Sequence, residues 1–127
     1  MIVLKRVYEP ATPTDGKRIL VERLWPRGVA KSSADLEQWA KEVAPSAALR
    51  KWFHHDPARW EEFKHRYFRE LDGKEEIWRE LLKASRKGRV TLIYSSHDRE
   101  HNNAVALREY LQRKQISRSR TDSRKAA

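Results

Sequence analysis

The chain has 127 residues, a formal net charge of +10 and no cysteine, which bounds it to one domain and excludes disulfides, thiolate metal sites and cysteine nucleophiles. Five Trp, four Tyr and three Phe supply bulky core material, so a fold without covalent staples is expected. The opening Met1-Ile-Val-Leu-Lys5-Arg6 is too short an apolar run for a signal peptide, and no later stretch has the length to span a bilayer. With no cysteine, this fits a reducing compartment; a cytoplasmic protein without a membrane partner is expected.

Ile2 to Tyr8 reads as a first strand. A loop from Glu9 to Gly16 follows, in which Pro10, Pro13 and Asp15-Gly16 mark turns. Arg18 to Trp25 reads as a second strand, stopped by Pro26 and Gly28, with Glu22 and Arg23 in its middle. The link between the two strands holds only about eight residues, whereas a parallel crossover needs a dozen or more, so a hairpin or long loop remains open there. Ser32 with Asp35 resembles a capping box, and Leu36, Trp39, Ala40 and Val43 recur at helical spacing, predicting an amphipathic helix that ends near Pro45.

Ser46 caps a short helix through Phe53, and Asp56-Pro57 opens a longer one with Trp60, Phe63, Tyr67 and Leu71 on one face and Gly73 at its end. Arg59, Lys64, Arg66 and Arg69 alternate with Glu61, Glu62 and Glu70, which reads as its solvated face. A further helix carries Ile77, Trp78, Leu81 and Leu82 and stops at Gly88. Val90 to Tyr94 is a continuous apolar run, as in a strand covered on both faces. Asn103 to Gln112 forms the last helix, with Ala104, Leu107 and Leu111 inward. Trp39, Trp52, Trp60 and Trp78 are assigned to the core. Residues 113–127 hold six Lys or Arg against one Asp, half of the whole net charge. With Ile116 as their one apolar residue larger than Ala, they read as a basic disordered tail. The expected fold is a single α/β domain over residues 1–112: a small, mostly parallel sheet of three or slightly more strands flanked by helices.

Ionised groups within a strand persist when paired or when they serve a ligand, and Arg offers a rigid donor fork suited to phosphate or carboxylate. Ligands of α/β sheets gather beyond the carboxyl ends of the strands. Those ends supply Arg6 and Tyr8, then Arg23, Trp25 and Arg27, then Tyr94, Ser95 and Ser96, with Asn103 at the next helix start. These are the candidate ligand-binding residues for a small anion, and Arg6, Arg23 and Arg27 are expected to converge in one pocket. The alternative is that Glu22 pairs with Arg18 or Arg23 as a structural salt bridge while Tyr8 and Tyr94 pack. His55, within His54-His55-Asp56, and Asp15 are the acid–base candidates. His97 and His101, spaced to share one helical face beside Asp98, are metal-ligand candidates, although zinc needs further ligands. No Gly-rich phosphate loop, dinucleotide fingerprint or serine elbow is present, and no cofactor is indicated.

Lys5-Arg6-Val-Tyr8, Asp15-Gly16, Arg18-Ile-Leu-Val-Glu-Arg-Leu-Trp-Pro-Arg-Gly28, Ala44-Pro45-Ser46 with Leu49-Arg50, Trp52-Phe53, and Thr91-Leu-Ile-Tyr94-Ser95 with Asn103 resemble the YeaO-like branch of the domain of unknown function 488 family. The resemblance covers residues 2 to 112 and implies a small cytoplasmic α/β protein of a family with no established activity. Other branches resemble a Cys-and-His-bearing motif after the last strand. Here the matching stretch is Tyr94-Ser95-Ser96-His97-Asp98, which removes thiol chemistry. Three function classes fit. The first is a protein for a phosphate- or carboxylate-bearing small ligand, with or without hydrolase- or transferase-like chemistry. The second is a nucleic-acid binder or regulator using its basic surface and tail, and the third an interaction module without chemistry.

Overall fold

The computed structural model describes residues 1–126, with side chains through Ile116. Strands β1 (Ile2–Arg6), β2 (Lys17–Leu20), β3 (Gln38–Trp39) and β4 (Val90–Tyr94) form one sheet in the order β1-β4-β2-β3, and every pairing is parallel. The apolar run of β4 lies in the interior of the sheet with all its residues buried, because both neighbours and both faces cover it. The short link between β1 and β2 is thereby explained. The two strands are not neighbours; each pairs with β4, in registers that place Ile2 and Lys17 on either side of Val90. A 3-10 turn over Pro13–Asp15 ends at Gly16, whose φ of 65° is left-handed. A Cβ there would stand 2.2 Å from the Arg89 carbonyl oxygen, so the position requires glycine.

Helices α1 (Lys31–Ala34), α2 (Ala47–Phe53), α3 (Trp60–Asp72), α4 (Glu75–Lys87) and α5 (Asn103–Ala126) complete the chain. Alternation along the strands divides the interior in two. Ile2, Ile19, Val21, Leu92 and Tyr94 face a core built with Phe63, Tyr67, Leu71, Leu81, Leu82, Leu107 and Leu111. Val7, Leu20 and Ile93 face the other way, under Trp25, Val29, Leu36 and Trp39. Ser46 caps α2 by accepting from the Leu49 amide. Its own N–H and hydroxyl donate to the Glu70 carboxylate at 2.8 and 2.6 Å, so Glu70 is a tie to α2 and not part of a solvated face. The Tyr67 hydroxyl, donating to the Val43 carbonyl at 2.7 Å, fixes the segment before α2 to the same helix.

Three expectations are corrected. The second strand ends at Leu20, not Trp25: Val21 still donates to the Ile93 carbonyl, but β4 itself stops at Tyr94 and offers no further ladder. Glu22 and Arg23 therefore stand beyond the strand end. No α-helix covers residues 36–43, where only a 3-10 turn over Lys41–Val43 is helical; Asp35 adopts a left-handed φ of 49°, and the amides of Glu37 and Ala40 donate to the Arg18 and Leu20 carbonyls, making β3 an edge strand. The apolar residues there serve opposite faces, Leu36 and Trp39 on one side and Ala40 and Val43 on the other, which sequence spacing reads as one stripe. Finally, α5 does not stop at Gln112. The Lys114 ammonium lies 5.1 Å from the Tyr110 ring centroid, and Gln115 donates to the Ser85 hydroxyl at 3.0 Å. The side chains of the rest of the expected disordered tail, residues 117–127, lie outside the described residues. Among the described residues, no helix is long and apolar enough to cross a membrane.

Candidate functional site

Beyond the ends of β2 and β4, α2 and the start of α5 come together with the residues that follow both strands. The result is a cavity of about 440 Å3 walled by both strand ends, both helices and Phe63 of α3. This is the position at which parallel α/β sheets hold ligands. Glu22 forms part of the wall and is 8% exposed. Its Oε1 accepts from the Ser95 amide at 2.9 Å and the Ser95 hydroxyl at 3.2 Å. Asn103 lines the same cavity, and its amide donates to the Val21 carbonyl at 2.6 Å, which binds the start of α5 to the end of β2. Asn102, 2% exposed, accepts from the Val105 amide and donates to the Asp98 carbonyl at 2.9 Å, so the α5 N-terminus is capped and anchored.

From α2 come Arg50 and Lys51, both exposed and both bordering the cavity. His54 and His55 follow with left-handed φ of 46° and 54°. Two successive non-glycine residues in that region carry strain, which is tolerated where surroundings over-determine the backbone. Opposite them, His101 Nδ1 lies 3.0 Å from Asp98 Oδ2, and its ring packs edge-on against Trp60. Asp98 also accepts from the amides of Glu100 and His101. The Glu100 bond leads in holding its carboxyl below the usual range, against the opposing effect of burial, and the bonds from His101 add to it.

Of the residues singled out in the sequence, Glu22, Ser95, Ser96, Asn103, His54, His55 and His101 line this cavity. Arg6, Arg23 and Arg27 do not. Arg6 donates through Nε to the Ser96 carbonyl at 2.8 Å and stacks over the Tyr8 ring at 5.0 Å, bracing the loop after β4. Arg23 donates to the Pro45 and Ala44 carbonyls, bracing the approach to α2. The Arg27 side chain is exposed, and its carbonyl accepts from the Tyr8 hydroxyl. Trp25 donates to the Val29 carbonyl and meets Trp39 edge-on at 5.4 Å. Tyr94 is 3% exposed in the core, and burial pushes its phenol up. His97 sits 3.4 Å from Arg6, in the non-helical segment before α5, so it shares no helical face with His101.

Asp15 belongs to a separate, closed cluster. It pairs with Arg18 at 2.7 Å and Lys5 at 3.0 Å and accepts from Thr12, while Arg18 gives its remaining donors to Ala34 and Asp35. Burial alone would raise its carboxyl; the bonds from Thr12, Lys5 and Arg18 outweigh that and hold it well below the usual carboxylate range. The Glu22–Arg18 pairing is therefore absent, because Arg18 is already engaged. The residues that sequence reasoning missed are Arg50, Lys51 and Asn102; His54 stood within the His54-His55-Asp56 trio. Only the Asp98-x-x-His101 spacing, suited to a side-chain-capped turn, left a local signal.

The family described as "Inactive DUF488-N3 subclade" matches residues 1–127 of the chain. "Uncharacterized protein YeaO" of Escherichia coli (strain K12) is 42% identical over 110 residues, covering 87% of this chain and 96% of the relative. "Uncharacterized protein Rv3073c" of Mycobacterium tuberculosis (strain ATCC 25618 / H37Rv) is 40% identical over 106 residues, covering 84% of this chain and 89% of the relative. No solved structure matches. With the YeaO-like resemblance thus extended along the chain, the protein belongs to the Inactive DUF488-N3 subclade.

Proposed function

We propose that the cavity at the carboxyl ends of β2 and β4 binds a small metabolite bearing a phosphate or carboxylate. One observation carries this reading: Arg50 and Lys51 border a metabolite-sized cavity, and among the described residues no carboxylate pairs with either. The cationic role expected of Arg6, Arg23 and Arg27 passes to these two, while Arg6 and Arg23 shape the walls. Ser95, Asn103 and His55 stay in the site, as polar lining. The family's description as inactive favours binding over turnover.

A second, catalytic reading rests on the Asp98–His101 contact, which orients an imidazole at the cavity wall as an acid–base group for hydrolase- or transferase-like chemistry. Titration of inorganic phosphate and acetate into isotope-labelled protein, followed by amide NMR, tests the first. Shifts are expected at Ser95, Ser96 and Asn102, weakened about tenfold in an Arg50→Ala/Lys51→Ala variant, as loss of charged donors implies. Shifts centred elsewhere, or unchanged in the variant, would refute it.

A further inference from the structure

Glu22 is the one acidic side chain in the cavity wall, whose other ionisable residues are Arg50, Lys51 and three histidines. It is a costly group to keep there. At 8% exposure it is largely removed from water, and a buried carboxylate needs partners for both oxygens. Ser95 supplies two donors to Oε1. Oε2 has no donor among the described residues and is not sealed from solvent, so it is an acceptor open to the cavity. The two arginines nearest in sequence do not serve it, since Arg18 turns to Asp15 and Arg23 to the Pro45 and Ala44 carbonyls. Nor does the structural contact require a charge, because a glutamine oxygen would accept from Ser95 equally well. A carboxylate is an acceptor only, and it repels a plain anion held at Arg50 and Lys51.

We propose that Glu22 receives a protonated nitrogen of the ligand, making the ligand class a small zwitterion: a phosphate or carboxylate joined to an ammonium or amidinium. The cavity then has two poles, with Arg50 and Lys51 taking the anion and Glu22 the cation. This rests on the reading of the cavity as an anion site and adds the second pole to it.

Two probes that differ only in the ammonium separate the claims. Phosphoethanolamine and ethyl phosphate are titrated into the full chain, wild type and Glu22→Gln, with amide NMR at Ser95, Ser96 and Asn102 as readout. Wild type should bind phosphoethanolamine about tenfold or more tightly than ethyl phosphate, the gain of one charge-assisted hydrogen bond. Glu22→Gln should erase that preference while still binding ethyl phosphate, and its spectrum reports whether it is folded. Equal binding of both probes by wild type would overturn the role of Glu22 and leave the anion site standing, without any need of the variant. A preference that survives in folded Glu22→Gln would overturn it too. If neither probe shifts the cavity amides, the anion site falls and the zwitterion with it.

Discussion

Two buried carboxylates stand seven positions apart in the chain, Asp15 and Glu22, and their surroundings differ in kind. Asp15 is enclosed by Lys5, Arg18 and Thr12, with every strong donor near it matched. Glu22 has one oxygen matched by Ser95 and the other turned to a cavity. A closed ionic cluster reads as architecture, since nothing remains for a ligand to satisfy. An incomplete one beside open volume reads as a recognition group. Burial and charge alone do not distinguish them; the count of unmet donors and acceptors does.

The difference is sharpest in stability. Asp15→Ala leaves Arg18, 4% exposed, without its counter-charge and should cost about 3 to 5 kcal/mol in denaturant unfolding. The same group sets an acid dependence. Its folded pKa lies below the ordinary 3.8, so its stabilisation is present above that value and lost as the pH falls toward the lower folded one. The variant should lose that component of acid sensitivity, and an unaltered pH–stability curve would show the cluster to be inert. Gly16→Ala strikes the backbone beneath the same cluster, where φ is +65° and a Cβ meets the Arg89 carbonyl. A loss of about 1 to 3 kcal/mol is expected, and an unchanged unfolding midpoint would refute the close approach.

Tyr67→Phe removes the bond to Val43 that steadies the approach to α2 and should cost about 1 kcal/mol. Glu22→Gln should be the mildest, within about 1 kcal/mol of wild type by the same measurement. A loss as large as that of Asp15→Ala would erase the distinction between the two carboxylates.

What the sequence made legible follows the range of the forces involved. β4, the Ser46 cap of α2 and the apolar face of α3 depend on local pattern, and all appear as read. The end of β2 depends on where β4 stops, and β3 depends on hydrogen bonds to β2, neither of which local spacing encodes. The site shows the same division. Ser95, Ser96, Asn103, His55 and His101 were legible as polar residues near element ends. Arg6 and Arg23 stand outside the cavity wall because their acceptors are backbone carbonyls, which carry no side-chain signature. Arg50 and Lys51 carry no local signal of a site, and long-range ties, from Glu70 to Ser46, Tyr67 to Val43 and Arg23 to Pro45, hold α2 where they border the cavity.

The most direct measurement is a crystal structure of the protein soaked with phosphoethanolamine. The expected result is the phosphate against Arg50 and Lys51, with the ammonium within about 3 Å of Glu22 Oε2, the length of a charge-assisted hydrogen bond. A phosphate bound instead at Arg6 or Arg27, with the cavity between α2 and the strand ends unchanged, would contradict it.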